Sequence, residues 1–347
     1  MSFSLSVILP NLNDARYLPQ ALDSLLGQSP PPDELVVVDD GSSDGSREII
    51  AQYARRHKLI RPVYRERTQG VVATMNQFAR EAASTHIFFA AADDLVLPGL
   101  FALSRGLLEK YPRTGLCSSL CRVLDEDGTD SGVFASPVPE THDGFIDPDA
   151  ARRVMLHHDS WIIGGSVVYR RQAILAEGGF RPELHGFADG MMHRLLALKQ
   201  GACFIPRPLM SWRRRAGSVS DTTNMNAGIL QEVLDGACTL MEGDPERRFS
   251  RTYIRRWRQR TAFGALRRQL ARSRLDVKSA GVFGLHPADL RLARGLARMS
   301  APPLADLYLF LRMRWFDVWS TPHRLLRHHS LNAAYRVNDE QACHEPT

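Results

Sequence analysis

Two stretches decide the fold: Ser6-Val-Ile-Leu-Pro10-Asn-Leu-Asn13 and Glu34-Leu-Val-Val-Val-Asp39-Asp-Gly-Ser42. Each is a short, wholly apolar run that ends in a polar cluster. Such runs fit strands buried on both faces. Between them, Leu18, Leu22, Leu25 and Leu26 recur at helical spacing within 15–26. The pattern continues outward: a helix is expected over 45–56, a strand over 60–64, a helix over 70–83 and a strand over 86–90. That last strand leads to Asp93-Asp94, and Pro98-Gly99 opens a helix to Lys110. Alternating strands and helices predict an α/β fold with a mostly parallel sheet and helices on both faces. In such sheets ligands bind beyond the carboxyl ends of the strands. Pro10-Asn11, Asp39-Asp40 and Asp93-Asp94 all fall on that edge.

The rest of the chain reads less regularly. Residues 125–149 are rich in Asp, Gly, Pro and Thr and are expected to be irregular loop. Helices are expected over 150–157, 171–177 and 188–200, with short strands at 165–169 and 201–205. A loop over 211–220 and a helix over 226–241 follow. From Pro245 onward only helices are expected: 251–274, 287–299 and 303–327.

The chain has 347 residues, with 44 basic and 38 acidic side chains. Residues 1–244 carry a net charge of −6 and residues 245–347 carry +12, almost all of it arginine. A body with a cationic tail points to an anionic partner surface. No nucleic-acid motif accompanies the charge, so a membrane is preferred over nucleic acid. Over 303–328, Phe316, Trp315 and Trp319 stand beside Arg312, Arg314 and Arg324. That pattern suits either an interfacial helix or a helix packed on the body. The five scattered cysteines, Cys117, Cys121, Cys203, Cys238 and Cys343, lack metal-site spacing and read as reduced thiols. The N-terminus has no secretory pattern, so a cytoplasmic protein, peripheral on the inner membrane face, is expected. No Gly-x-Gly-x-x-Gly follows the first strand and no Walker A sequence is present. Dinucleotide oxidoreductases and P-loop hydrolases are therefore excluded.

These motifs resemble family 2 glycosyltransferases of the GT-A fold. The likeness rests on 6–13, Tyr17-Leu18, Val36 to Asp44, Ala92-Asp-Asp94 with Pro98-Gly99, Gly178-Gly-Phe180, Asp189, Gly201-Ala202, Trp212-Arg213 and Ser218-Val-Ser220. It implies a catalytic domain over 1–222, with a nucleotide-sugar half to about 115 and an acceptor half over 116–222. A helical basic region over 223–347 follows. It also implies an inverting transfer from a nucleotide-diphosphate sugar to a hydroxyl acceptor (a glycan or a lipid-linked sugar), with Mg²⁺ or Mn²⁺, in bacterial surface polysaccharide or lipopolysaccharide synthesis. By position, Pro10, Asn11 and Asn13 would line the nucleotide pocket, with Asn76 also on the donor side. Asp40 would pair with the base beside Asp39, Asp93 would face the ribose or sugar, and Asp94 would bind the metal. Asp189 would be the general base, and Trp161, Gly164 and Gly165 would lie near the acceptor.

The chain departs from the family pattern at several points. Ala91 and Ala188 replace carboxylates, and Gln69 and Met75 replace the family's usual residues. The loop after Trp212 reads Arg213-Arg-Arg215 where relatives often have histidine, so Arg213 is expected to hold the diphosphate. Two rivals stand beside this reading: a catalytically silent sugar-nucleotide binding module and a related nucleotidyltransferase.

Overall fold

The computed structural model describes residues 2–299 and 302–317. The expectations for Trp319, Arg324 and Cys343 lie outside those residues. Strands β1 (Leu5–Asn11), β2 (Glu34–Asp39), β3 (Ile60–Tyr64) and β4 (His86–Phe89) alternate with helices α1 (Leu18–Leu26), α2 (Ser46–Arg56) and α3 (Val71–Glu81). The four strands are parallel, in the order β3-β2-β1-β4. Side chains on a strand alternate between faces. Val7, Leu9, Leu35 and Val37 pack on one side of the sheet with Leu18 and Leu22 of α1. Ile8, Val36 and Val38 pack on the other side with Met75 and Phe78 of α3. Both faces are covered, which is why these strands show no polar alternation.

The register aligns the strand ends. Asn11 lies beside Asp39 across β1 and β2, and Asp39 lies beside Tyr64 across β2 and β3. The polar residues after β1, β2 and β4 therefore share one edge.

The second half extends the same sheet. After β5 (Leu95–Val96) and α4 (Leu100–Lys110) come β6 (Leu116–Leu124), β7 (Asp130–Val133), β8 (Gly144–Ile146), α5 (Pro148–His158), β9 (Val168–Arg170), α6 (Arg171–Ala176), α7 (Ala188–Gln200) and β10 (Ala202–Arg213). The full order is β3-β2-β1-β4-β9-β6-β10-β5, with β7 beside β6 and β8 beside β10. Strand β9 is antiparallel to both β4 and β6, and β10 is parallel to β6.

The irregular loop expected over 125–149 is corrected, because it contains β7 and β8. Strand β10 also runs on past Pro206 and Pro208 into the stretch read as a loop. The prolines are accommodated by register shifts between Ile205 and Pro208 and between Pro208 and Ser211.

The C-terminal helices are α8 (Val219–Met225), α9 (Ala227–Glu242), α10 (Arg251–Ala271), α11 (Pro287–Arg298) and α12 (Pro302–Arg314). Helix α8 runs across the expected boundary at 222–223. The helices continue the core of the acceptor half: Tyr253, Ile254, Trp257 and Leu266 belong to the same buried cluster as Met155, Leu184 and Met192. Several arginines act as internal ties here. Arg260 donates to the carbonyls of Met155, Leu156 and His157 at the end of α5 and pairs with Asp317. Arg248 pairs with Asp244 and Glu177. Among the described residues, no helix is long and apolar enough to cross a membrane.

Candidate functional site

The loops after β1 and β2 are knitted together. Asn11 Nδ2 donates to Asp39 Oδ1 at 3.3 Å and to Ser42 Oγ at 3.1 Å. Asn13 has a φ of 58°, and its Oδ1 accepts from the Ser43 amide at 2.8 Å. Asp39 is fully buried, and its Oδ2 accepts from Arg47 Nε at 2.8 Å. Asn11 Oδ1 is buried with no hydrogen-bond partner among the described residues.

Asp40, expected to pair with the base, has both carboxyl oxygens engaged within the chain. One carboxyl oxygen accepts from Arg65 at 2.7 Å, and the other accepts from Thr68 Oγ1 at 2.7 Å and the Gly70 amide at 2.8 Å. The Gln69 amide donates to both. Burial alone would raise this carboxyl, but the Arg65 guanidinium and these hydroxyl and amide donors outweigh it and hold it below the usual range. Asp40 thus pins the 65–70 loop to the end of β2. Gly41 permits the approach: its φ is +87°, and a Cβ there would lie 3.2 Å from the Thr68 nitrogen. Asn76 is engaged likewise. Its amide exchanges two 2.8 Å hydrogen bonds with the Phe180 backbone and so clamps the Gly178-Gly179 turn.

A carboxylate centre lies at the end of β4. Asp93 pairs with Arg215, which also pairs with Asp14 at 2.7 Å. Asp94 Oδ1 accepts from the Arg213 amide at 2.8 Å. Burial pushes the Asp94 carboxyl well up, and the neighbouring Asp93 adds to this. Burial also raises Asp14, to about 6.

Arg213 is not where the sequence reading expected it. Its side chain is buried, bonded to the Asp93 carbonyl and to Gln20, and stacked on Tyr17. β10 carries Arg213 into the protein, and Arg214 turns out to Asp125. Arg215 is the arginine at the carboxylates. Its place within a run of three arginines was the only signal for it.

Gly164 and Gly165 join this centre to α7. Asp189 sits in the first turn of α7, and its Oδ1 accepts from the Gly190 amide at 2.6 Å. A Cβ on Gly164 would lie 2.0 Å from Asp189 Oδ2, and one on Gly165 would lie 3.4 Å from Asp94 Oδ2. Adjacent Cα atoms are about 3.8 Å apart, so the two carboxylates lie at most about 12 Å from one another. A Cβ at 164 would collide with Asp189, and one at 165 would collide with Met210 Cε at 2.0 Å, so both positions favour glycine.

Burial raises Asp189, with the Gly190 amide and Arg194 opposing the shift. His193, one turn on, is bonded to Tyr169, and burial lowers it to about 3, so it is neutral. Behind Asp189, Arg194 bonds Asp159 at 2.8 Å, the Gly190 carbonyl at 2.7 Å and Tyr253 of α10 at 2.7 Å. Trp161 presents no ring face to an acceptor, because it is fully buried and fills the core under this segment. Asp14, Arg194 and Tyr253 went unnoticed in the sequence because no local motif marks them.

The residues present fit a hard divalent cation of the kind that keeps substrate phosphates and water as its other ligands. Among the described residues no cluster of three or more His, Cys, Asp or Glu could cage a metal unaided. Asp94 Oδ2 faces the glycine pair, and a cation beside it would offset the burial that raises this carboxyl. One or two carboxylates suffice for Mg²⁺ when phosphates complete the shell.

Comparison with known proteins places these features. The family model described as glycosyl transferase family 2 matches residues 6–175. An uncharacterised Mycobacterium tuberculosis protein, MT1568, is 30% identical over 239 residues, covering 67% of this chain and 72% of that protein. The chain spans about half the length (47%) of other uncharacterised mycobacterial relatives that are 31% identical to it. S. aureus TarS 1-349 in complex with UDP-GlcNAc superposes with a TM-score of 0.55 at 17% identity, covering 89% of this chain and 91% of that one. The Pyrobaculum calidifontis mannosyltransferase PcManGT, in complex with GDP-Man and Mn2+, gives 0.53 at 19% identity, covering 91% and 88%. At these identities the two structures show the fold, which is GT-A. Together with the family match over 6–175 and the MT1568 relationship, they establish that this chain belongs to glycosyl transferase family 2.

Proposed function

We propose that the chain transfers a sugar, with inversion, from a nucleotide-diphosphate sugar to a hydroxyl of a glycan or lipid-linked acceptor in surface polysaccharide synthesis. The observation that carries this is the nearness of Asp189 to Gly164 and of Asp94 to the adjacent Gly165. Two carboxylates so placed can serve the two ends of one displacement. The acceptor oxygen bonds to the anomeric carbon as the bond from that carbon to the diphosphate oxygen breaks. The acceptor proton passes to Asp189, and the electron pair leaves with the nucleoside diphosphate. Burial raises Asp189, which brings its basicity nearer the working pH, as a general base requires.

Asn11 offers its unpartnered Oδ1 to an N–H of the donor base, and Pro10 and Asn13 shape the same loop. Asp93 and Asp94 would hold Mg²⁺ or Mn²⁺, which when bound supplies positive charge to the diphosphate. Arg215 stands beside them as a second cationic group for the leaving diphosphate. TarS and PcManGT, named as complexes with UDP-GlcNAc and with GDP-Man and Mn2+, support this class of donor.

Membrane contact is part of the proposal. Leu304, Leu307 and Leu311 form one exposed apolar stripe along α12, extended by the exposed Trp315 just after it, with the exposed Arg312 beside it. A helix of that kind suits an anionic bilayer surface.

The test is turnover of a panel of nucleotide sugars, with and without Mn²⁺, by the wild type, Asp94→Asn and Asp189→Asn. Asp189→Asn is expected to lower kcat by about 10²–10⁴-fold while leaving donor binding intact. Asp94→Asn should raise the donor KM. Variants equal to wild type would remove both assignments. Nucleotide binding with no turnover on any acceptor would favour the silent binding module.

A further inference from the structure

Helices α9 and α10 border an open pocket of about 900 Å³ that belongs to neither the carboxylate centre nor the α12 stripe. Its walls carry Arg247, Arg251, Arg255 and Arg258, and its floor includes Met241, Phe249 and Ile254. Arg258 is committed to Asp235 at 2.7 Å. Arg247, Arg251 and Arg255 are exposed, and none has an ion-pair partner among the described residues. Glu242 is the only carboxylate on the wall.

While the cavity holds only water, these three charges are offset by solvent alone. Arg251 and Arg255 are four residues apart on one helix, a spacing at which like charges repel. Elsewhere in the same region arginines are neutralised in pairs, as with Arg248 and Asp244 or Arg260 and Asp317. At this cavity three guanidinium groups surround a space large enough for a ligand, above an apolar floor. Guanidinium forks match phosphate oxygens, and the apolar floor suits a hydrocarbon attached to the phosphate.

We propose that this cavity is a binding site for a phosphate-bearing anion, with Arg247, Arg251 and Arg255 as its ligands. The charge could come from a lipid headgroup or from a soluble phosphate, and two assays on the full chain separate these sources. The first is flotation with phosphatidylcholine vesicles, with and without phosphatidylglycerol. The second is calorimetry with inorganic pyrophosphate. The pocket variant is Arg247→Gln/Arg251→Gln/Arg255→Gln. The control, Arg55→Gln/Arg56→Gln/Arg80→Gln, removes the same charge from exposed positions in the nucleotide half.

The pocket variant should lose affinity by about a hundredfold in at least one assay, given about 1 kcal/mol per basic side chain. The control should stay close to wild type. The assay that shows the loss identifies the source. The proposal is overturned if wild type binds in neither assay, or if the control loses as much as the pocket variant. All six positions are exposed, and unchanged thermal unfolding of both variants would confirm that folding is not the cause.

Discussion

Asp94 and Asp189 are both raised by burial, and each keeps only a little polar support, from the Arg213 amide in one case and the Gly190 amide in the other. Weakly supported buried carboxylates favour a ligand that brings positive charge or a proton. Asp39 and Asp40 contrast with them, because their oxygens are already occupied by Arg47 and Arg65. In the sequence Asp39-Asp40 and Asp93-Asp94 look alike: Asp-Asp beyond an apolar strand. The spacing showed that both lie on one sheet edge. It could not show whether a side chain turns into the cleft or back into the protein. That orientation depends on partners such as Arg65 and Phe180, which stand 25 and 104 residues from Asp40 and Asn76. The internal partners of Arg213, Asn76 and Asp40 were illegible in the sequence for this one reason.

Titration away from the site gives a separate test. His86 opens β4, stacks on Phe3 and is lowered to about 4, chiefly by burial and then by Arg170. A histidine depressed below its unfolded value of 6.5 gives full stability above that pH, and the contribution is lost as the pH falls through about 4. His86→Phe keeps the stack and removes the titration. Its Tm relative to wild type is therefore expected to climb as the pH drops from 7 to 4. A pH-independent difference would contradict the assignment.

The nucleotide half is legible as elements because each of its strands and helices carries its own periodicity. The acceptor half is less so. β7 and β8 are three or four residues long and sit among glycines and prolines. β10 passes through two prolines that ordinarily end a strand. Pairing with β6, fixed only in the folded chain, overrides the local signal there.

Helix α10 raises a different issue, since its arginines read as a solvated or lipid-facing surface. Arg260 instead closes the carbonyl end of α5 and shares Asp317 with Arg314. Removing one member of a buried pair costs about 3–5 kcal/mol. Because Arg314 still neutralises Asp317, Arg260→Met is expected near the lower end, about 3 kcal/mol in urea unfolding. Arg260→Met with Asp317→Leu should recover much of that loss. A single variant as stable as wild type would show that the tie carries no load.

At the scale of the whole molecule, one core unites the sheet's acceptor side with the C-terminal helices, and α10 reaches the start of α7 through Tyr253 and Arg194. The basic excess of the tail is therefore divided. Part of it ties helices together, and part stays exposed around the α9–α10 cavity and beside α12. Charge counting in the sequence cannot separate these uses. If the α12 stripe meets lipid, Leu307→Glu/Leu311→Glu should weaken flotation with phosphatidylcholine vesicles lacking phosphatidylglycerol as much as with vesicles containing it, and leave turnover of a soluble acceptor unchanged. Undiminished flotation would remove α12 from the membrane contact.

The most direct measurement is a crystal structure of the Asp189→Asn chain with a nucleotide-diphosphate sugar. The anomeric carbon should lie over the Gly164-Gly165 step, with the diphosphate on the side of Asp94 and residue 189 on the opposite face. A donor bound elsewhere, or one whose diphosphate and residue 189 share a face, would contradict the account.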